Sequence, residues 1–244
     1  FKYLLAYEGK SKVEPATGGI IDSYNMTNYL NDKIDPINFM QLSDHIVSEP
    51  KTGIGKEDLT RSADEGKLYR VGMRRPATYR KGEGEKKISI VVEFSGLEIP
   101  AEGLMKLGGE GKIAKYSTFS RDILPKKPVI DPVKEYYIRL VLVTPGIFEH
   151  GSLPSLESVL PDSAAGRYEI IAAVTGKPLH VGGFDMQKRH PKPLKKAVPA
   201  GSVYYLNVEE NYIDDILALH GKSISPEPFA QLGYGIVLTG VKYA

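Results

Sequence analysis

The stretch QLGYGIVLTG at residues 231–240 places a glycine-rich loop directly before a strand. Gly233 and Gly235 carry no Cβ, so the backbone amides beside Tyr234 can approach a phosphate or a base closely. The loop is not a Walker loop, because no Gly-Lys-Ser/Thr follows, and it is not a dinucleotide-binding fingerprint, because no helix follows. The residues alone leave two interpretations open, a ligand-binding loop and a tight hairpin turn.

The strand predicted at 235–241 is one of several runs that are rich in β-branched or aromatic residues and bounded by Gly or Pro, the pattern of half-buried or core strands. Helical patterns are fewer. The best covers 211–220, with Asn211 as the N-cap and Gly221 as the left-handed stop. Shorter or weaker patterns cover 23–30 and 153–160, so the sequence predicts an α+β fold. The other predicted strands are 67–73, 87–94, 112–119, 136–143, 168–174 and 202–208.

The composition indicates a folded chain whose charges nearly cancel. Lys and Arg number 32 and Asp and Glu 30, so the net charge of +2 excludes a polybasic protein and requires any basic site to be local. The absence of cysteine excludes disulfides and thiolate metal centres. No apolar run reaches the roughly 20 residues of a membrane-spanning helix. We therefore expect a soluble, cytoplasmic protein that has no contact with a membrane.

The sequence PKKPVIDP at 125–132 marks the predicted boundary between two halves, because residues that precede proline disfavour helix. The predicted N-terminal half covers 1–130. The predicted C-terminal half covers 131–244 and ends in the glycine-rich loop. The chain opens at Phe1 in strand-like sequence, without an initiator Met or a signal peptide, so we expect that an N-terminal part is missing.

Five basic residues lie within nine positions of the stretch GGFDMQKRHPKPLKKAVPAGSVYY, residues 182–205, with no acidic residue among those nine. Its prolines favour an extended chain whose charges can follow a phosphate backbone. Phe184, Met186 and His190 offer surfaces on which unpaired bases can stack. The alternatives are a solvated basic loop and a proline-rich ligand for an aromatic groove. The basic residues are Lys188, Arg189, Lys192, Lys195 and Lys196.

A second glycine-rich segment, LGGEGK at 107–112, enters the strand predicted at 112–119. Gly109 allows close backbone approach, and Lys112 places a positive charge just beyond the loop. The alternative is a plain β-turn.

Catalytic patterns are sparse. The five histidines are scattered and show no metal-ligand spacing, so we predict neither a metal nor any other cofactor. His190 is the only attractive candidate for a general acid or base in metal-independent RNA cleavage. The alternative for His190 is a phosphate contact or an exposed side chain. We expect that the protein is not an enzyme.

The combination resembles the RAMP superfamily of CRISPR-associated RNA-binding proteins, and within it the family of third subunits of Cmr (type III-B) RNA-silencing complexes. The loop at 231–240 is similar to the RAMP glycine-rich loop, with Gly233, Tyr234, Gly235 and the spaced Gly240. Phe184 stands where the family usually has Trp, which keeps a stacking ring. The family's initial segment with its Phe-Arg and Arg-Pro-Phe signature is absent. The other matching stretches are 182–205, EPKTGIGKEDLTRSADEGKLYRVGMRR at 49–75 and LGGEGKIAKY at 107–116.

The resemblance implies two ferredoxin-like halves with antiparallel sheets, the first of them incomplete. It also implies a subunit without catalysis that holds the repeat-derived 5′ end of the guide RNA. Its protein partners would be the large signalling subunit and the first backbone subunit of the complex. Two alternatives remain, a metal-independent guide-processing endoribonuclease of the same superfamily and a protein-only scaffold. The predicted RNA-binding residues are Gly182, Gly183, Phe184, Met186, Lys188, Arg189, His190, Lys192, Lys195, Lys196, Gly233, Tyr234, Gly235, Gly109 and Lys112.

Overall fold

The computed structural model describes residues 18–33, 38–56, 60, 62–77, 79–80, 85–86, 88–108, 111–120 and 123–244. The α+β prediction is confirmed in these residues, which form mostly antiparallel strands and few helices. The helices are α1 (Ser23–Leu30) and α2 (Ile213–Leu217), with 3-10 turns at Leu42–Asp44, Glu210–Tyr212 and Ala230–Leu232. The strands are β1 (Gly19–Ile20), β2 (Met40–Gln41), β3 (Ile46–Lys56), β4 (Ala63–Pro76), β5 (Tyr79–Arg80), β6 (Glu85–Lys86), β7 (Glu102–Lys106), β8 (Ile113–Ser117), β9 (Tyr136–Leu142), β10 (Tyr168–Val174), β11 (Leu179–Val181), β12 (Phe184–Asp185), β13 (His190–Pro191), β14 (Lys195–Ala197), β15 (Val203–Val208) and β16 (Val237–Tyr243).

Residue contacts divide the chain into two units. The first, here the sheet unit, combines α1 with residues 124–244. The second, here the hairpin unit, contains β1 and residues 39–123. The predicted division at 130/131 stays a prediction.

The sheet unit is built on a four-stranded antiparallel sheet with strand order β10-β15-β9-β16. Strand β9 has buried side chains on both faces, and its apolar side chains alternate between two clusters. Ile138, Leu140 and Leu142 join the larger cluster, which includes Ile216 of α2. Val141 points to the other face and packs against Leu30 of α1. The sheet is therefore covered on both faces.

Helix α1 covers the range predicted from the sequence, 23–30. Asp22 caps it, because its carboxylate Oδ1 accepts a hydrogen bond from the Asn25 backbone N–H at 2.7 Å. Gly240 lies under the helix. A Cβ at Gly240 would stand 3.0 Å from the Leu30 backbone and 3.0 Å from Arg139 Cγ. The missing side chain therefore lets α1 lie close to the sheet.

Two of the predicted helices differ from the structure. Residues 153–160 do not form a helix: the Leu156 backbone N–H donates to the Tyr168 hydroxyl at 2.9 Å, and only turns follow. The helix predicted at 211–220 is shorter and begins with a 3-10 turn, so Tyr212 and not Asn211 is the N-cap. Gly221 does adopt the predicted left-handed conformation, with φ +77°.

The hairpin unit consists of two-stranded antiparallel ladders, of which β3–β4 is the longest. None of its residues for which the structure describes burial is buried. The strand predicted at 87–94 is wrong for residues 88–94, which have no regular structure, and Lys87 lies outside the described residues. Ile90 and Val92 are each 73% exposed. Their β-branched side chains favour a strand only against a pairing partner and a face to pack on.

Candidate nucleic-acid interface

The basic stretch folds back on itself as an irregular hairpin, here called the basic ribbon, residues 179–197. Strand β11 pairs with β14 and β12 pairs with β13. Between these ladders the Lys192 backbone N–H donates to the Gly183 carbonyl at 2.8 Å. The prediction that the prolines keep this stretch as one extended segment is therefore wrong.

Asp185 explains the reversal of the chain. Its Oδ1 accepts hydrogen bonds from the backbone N–H groups of Gln187 and Lys188, each at 3.0 Å. Such a side-chain turn brings the following strand alongside the first. Arg189 completes the turn with φ +52°, a left-handed conformation that is uncommon for a residue other than glycine.

The strand register separates the side chains of the basic ribbon onto two faces, because directly opposed residues point the same way. Asp185 opposes His190, and Val181 opposes Lys195. Gly183 is two residues before Asp185 and therefore faces the same way. A Cβ at Gly183 would be 3.6 Å from Lys192 Cδ, so Lys192 lies on this face too. This side is called the cationic face.

The opposite, apolar face carries the ring of Phe184 opposed to Pro191, and Lys196 opposed to His180. Leu194 belongs to it, because a Cβ at Gly182 would lie 2.8 Å from Leu194 Cδ2. The predicted stacking residues Phe184 and His190 therefore lie on different faces.

All five basic residues of the ribbon are exposed. None of them makes an ion pair with a carboxylate in the part of the chain that the structure describes. Phe184 and Met186 are 53% and 80% exposed. His190 is exposed as well, and its Nδ1 lies 2.8 Å from the Pro191 carbonyl oxygen. The ribbon thus presents uncompensated positive charge beside apolar surface.

The loop at 231–240 is a turn held inside the sheet unit. Gly235 is buried with φ +72°, and a Cβ there would meet the Ser225 Oγ and lie 2.7 Å from the Ser225 backbone N. Its N–H donates to the Pro145 carbonyl at 2.8 Å, and its carbonyl accepts from Ile224 N–H at 2.9 Å. The geometry favours the tight-turn interpretation for Gly235.

Gly233 and Tyr234 are only partly buried. Gly233 has φ +80°, and the space beside its Cα is open. The Tyr234 ring packs edge to face on Phe229 with 6.1 Å between the centroids. Tyr234 therefore has a packing partner within the chain, and Gly233 is the more accessible of the two predicted glycines.

The second glycine-rich segment connects β7 to β8 in the hairpin unit. The Leu107 N–H donates to the Lys112 carbonyl at 3.0 Å, which continues the β7–β8 ladder up to the loop. Gly108 and Gly111 have φ of +82° and +66°. Lys112 is half-buried, and Gly109 lies outside the described residues. The segment therefore lies at the end of the β7–β8 hairpin, and the two interpretations given for it stay predictions.

A buried ion pair, not foreseen from the sequence, joins α1 to the sheet. Arg139 on β9 is 2% exposed, and its Nη2 lies 2.6 Å from Asp32 Oδ1 just beyond α1. Asp32 Oδ2 also accepts from Lys242 Nζ at 3.0 Å and from the Tyr243 N–H at 3.1 Å. Burial raises the pKa of the neighbouring Tyr205 phenol to about 12 despite the nearby Arg139. In the sequence, the signal for this pair is Arg139, a single charged residue within the otherwise apolar run YYIRLVLV at 136–143.

Within the described ranges, no three His, Asp or Glu side chains converge as ligands for a metal ion. None of the helices in that part of the chain has the length and apolar character that crossing a bilayer requires.

A cluster of exposed basic residues without carboxylate partners among the described residues is typical of proteins that bind nucleic-acid backbones. The family model of CRISPR-associated protein (Cas_Cmr3) matches residues 4–242, and the chain belongs to this family. The match confirms the resemblance drawn from the sequence.

Two solved structures resemble the chain at low identity. One is the Type III-B Cmr-beta bound to cognate target RNA, with 17% identity, 81% of this chain covered and a TM-score of 0.41. The other is the same complex bound to cognate target RNA and AMPPnP, with 18% identity, 77% covered and a TM-score of 0.41. The chain spans 59% of the length of each matched chain. No curated protein matches it.

Proposed function

We propose that this protein is a non-catalytic, RNA-binding subunit of a type III-B CRISPR effector complex. It holds the repeat-derived 5′ end of the guide RNA and docks on the large signalling subunit and the first backbone subunit. The family supports membership in such a complex. The observation that carries RNA binding is the basic ribbon, whose five exposed cations lack ion-pair partners among the described residues.

The ribbon suits a single strand of RNA for two reasons. Phosphates attract the unpaired lysine and arginine side chains. Exposed Phe184 and Met186 at 53% and 80% offer apolar surface to unpaired bases. On the cationic face His190, Lys192 and Lys195 follow one another along the same strand direction, so we assign most of the phosphate contacts to this face. Lys196 on the opposite face supplies one further contact.

In this proposal the glycine-rich loop contacts RNA through fewer residues than the sequence analysis predicted. Gly235 supports the turn, while Gly233 and the open space beside it remain candidates for RNA approach. Lys112 and Gly109 remain predicted contacts of the hairpin unit.

The sheet unit supports the proposed ferredoxin-like architecture. In the order β10-β15-β9-β16 all neighbouring strands are antiparallel. The two central strands, β9 and β15, are the first and third strands of this four-stranded sheet in chain order. This is the arrangement of a split βαβ repeat. The connection between β9 and β10 contains no helix, which is a departure from that pattern.

A guide-processing endoribonuclease is the competing function, and His190 is its candidate residue. Its ring contacts the Pro191 carbonyl at 2.8 Å and is otherwise exposed. We propose that His190 contacts an RNA phosphate and does not catalyse RNA cleavage. In the protein-only scaffold, the second competitor, the ribbon has no RNA ligand.

The test is the salt dependence of binding to single-stranded RNA that carries the repeat sequence. Each phosphate contact in a single strand contributes about 0.7 to the slope of log affinity against log salt. A triple Lys-to-Gln variant at Lys192, Lys195 and Lys196 should therefore flatten the slope by up to about 2 units.

The matched control is a triple Lys-to-Gln variant at Lys126, Lys127 and Lys222, which are exposed residues of the same unit outside the ribbon. It removes the same charge and should leave the slope unchanged. Equal slopes for the ribbon variant and the wild type would support the scaffold and refute the proposal.

A further inference from the structure

We propose that strand β10 is a docking edge, to which another protein adds a short extended segment that carries a lysine or arginine opposite Glu169. The partner is a protein subunit of the effector complex, so the inference rests on the proposed function and names a surface for its docking step. It concerns neither the basic ribbon nor RNA.

The register of β10 shows which of its backbone groups point away from the sheet. Strand β10 is an outer strand, and β15 is its neighbour. The Glu209 N–H donates to the Arg167 carbonyl at 3.1 Å, and Glu169 lies two residues further along in the same register. Hydrogen-bonded and non-hydrogen-bonded pairs alternate in an antiparallel ladder. Tyr168 and Ile170 therefore direct their N–H and C=O groups outward.

These outward groups are available to a further strand. In the part of the chain that the structure describes, no group hydrogen-bonds to the backbone N–H or C=O of Tyr168 or Ile170. An edge strand with unpaired backbone groups is a template for another strand. The register shifts between Ile170 and Ala172, which ends the regular ladder there. The added segment is therefore short, and it meets the N–H and C=O groups of these two residues.

The opposite edge of the sheet, β16, is arranged differently. Its N–H groups at Thr239 and Tyr243 have acceptors within the sheet unit. The Thr239 N–H donates to His220 Nδ1 at 3.1 Å, and the Tyr243 N–H donates to Asp32 Oδ2 at 3.1 Å. Side chains thus take the place of a neighbouring strand at these positions of β16. Strand β10 is the edge that can accept one.

The charge beside the open part of β10 favours a basic protein segment over RNA. A cleft of about 370 Å³ lies there, lined by residues 166–169 and 207–209. Its ionisable acids and bases are one guanidinium, of Arg167, and two carboxylates, of Glu169 and Glu209, so its net charge is −1. Phosphates are repelled by this charge. A lysine or arginine opposite Glu169 on an added strand instead forms a favourable cross-strand pair.

A second copy of the chain is a poorer occupant than a different protein. Two antiparallel β10 strands can pair through both outward residues only when Tyr168 of each copy opposes Ile170 of the other. That register sets Glu169 directly opposite Glu169. Like charges directly opposed destabilise a strand pair. The edge therefore fits a basic segment of another subunit.

The first test compares amide hydrogen exchange in the isolated chain and in the reconstituted type III-B complex, read by mass spectrometry with single-residue fragmentation. The amides of Tyr168 and Ile170 should exchange at least about tenfold more slowly in the complex, because they gain hydrogen bonds. The Thr239 amide, which already donates to His220, should keep its rate. If neither β10 amide slows in a complex that contains this subunit, the inference is refuted.

The second test uses Ile170→Pro, which removes the outward N–H and leaves the hydrogen bonds to β15 in place, as proline on an edge strand does. Ile170→Ala is the matched control, since it loses the same side-chain packing and keeps the N–H. Ile170→Pro should bind the remaining complex about tenfold more weakly than Ile170→Ala. Equal affinities of the two variants would overturn the inference.

A charge variant adds a test that leaves the backbone unchanged. Glu169→Lys should weaken incorporation by about threefold, because the added strand then meets a like charge. Glu157→Lys, at another exposed position of the sheet unit, makes the same charge change and should incorporate as the wild type does.

The salt slope of RNA binding distinguishes this inference from the proposed RNA-binding function. Ile170→Pro in the isolated chain should keep the wild-type slope. If the triple ribbon variant flattens the slope and Ile170→Pro incorporates as well as Ile170→Ala, the inference fails and RNA binding stands. If Ile170→Pro alone loses incorporation and the ribbon variant keeps the wild-type slope, RNA binding by the ribbon fails and the inference stands.

Discussion

Replacing Asp32 with Asn tests whether the buried ion pair holds α1 on the sheet. The carboxylate of Asp32 is the counter-charge of Arg139, which is 2% exposed and lies 2.6 Å away. Removing one partner of a buried pair leaves an uncompensated charge and costs about 3–5 kcal/mol. Asparagine keeps one acceptor oxygen and tolerates the φ of +54° at this position. We therefore expect the lower end, about 3 kcal/mol.

Thermal unfolding followed by circular dichroism is the assay. A loss of about 3 kcal/mol lowers Tm by roughly 6–12 °C for a chain of this size. Glu209→Gln is the control, because its pair with Arg167 spans 3.4 Å and both side chains are about half exposed, at 55% and 51%. That change should cost less than about 1 kcal/mol.

The variant Arg139→Met supplies the second half of the test. It leaves Asp32 with its contacts to Lys242 and the Tyr243 N–H, and it replaces the guanidinium with an apolar chain. It should therefore cost less than Asp32→Asn. The reasoning is refuted if Asp32→Asn lowers Tm no more than Glu209→Gln does.

Two further predictions concern the turn and the ribbon. Gly233→Ala, at a positive φ with open space, should cost about 1 kcal/mol. Gly235→Ala has the same sign of φ and also overpacks against Ser225, which adds about 1–3 kcal/mol, so it should cost about 2–4 kcal/mol. Urea unfolding distinguishes them, and equal losses would contradict the packing argument. Pure protein incubated with repeat-containing RNA should leave the RNA intact with or without divalent metal. Cleavage that His190→Ala abolishes would instead establish the processing enzyme.

The sequence predicted correctly those elements that are determined by local features, such as a capping residue or an apolar pattern. Helix α1 has Asp22 in front of it and an apolar residue, Leu30, that reaches the core. Strands β9 and β10 are mostly apolar or aromatic, each with one charged residue, and are long enough to span a sheet. The same signals failed at 88–94, where apolar residues find no partner strand in the described chain.

The ribbon and the ion pair depended on information that the sequence does not display locally. Three prolines favoured an extended chain, but the two hydrogen bonds that Asp185 accepts reverse it. The partner of Arg139 is 107 residues away along the chain, so no spacing rule finds it. The sequence identified the glycines of the loop, but it did not show that Ser225 packs against Gly235. This contact leaves no room for a side chain at Gly235 and indicates a structural role for it.

The most direct test of the central proposal is a crosslink in the assembled effector complex. Guide RNA with 4-thiouridine in its repeat-derived 5′ segment is incorporated and irradiated, and the crosslinked peptides of this subunit are mapped. The account predicts crosslinks within residues 182–197 that the triple Lys-to-Gln variant at Lys192, Lys195 and Lys196 weakens. Crosslinks from the 5′ segment exclusively to other subunits, with the guide retained, would contradict it.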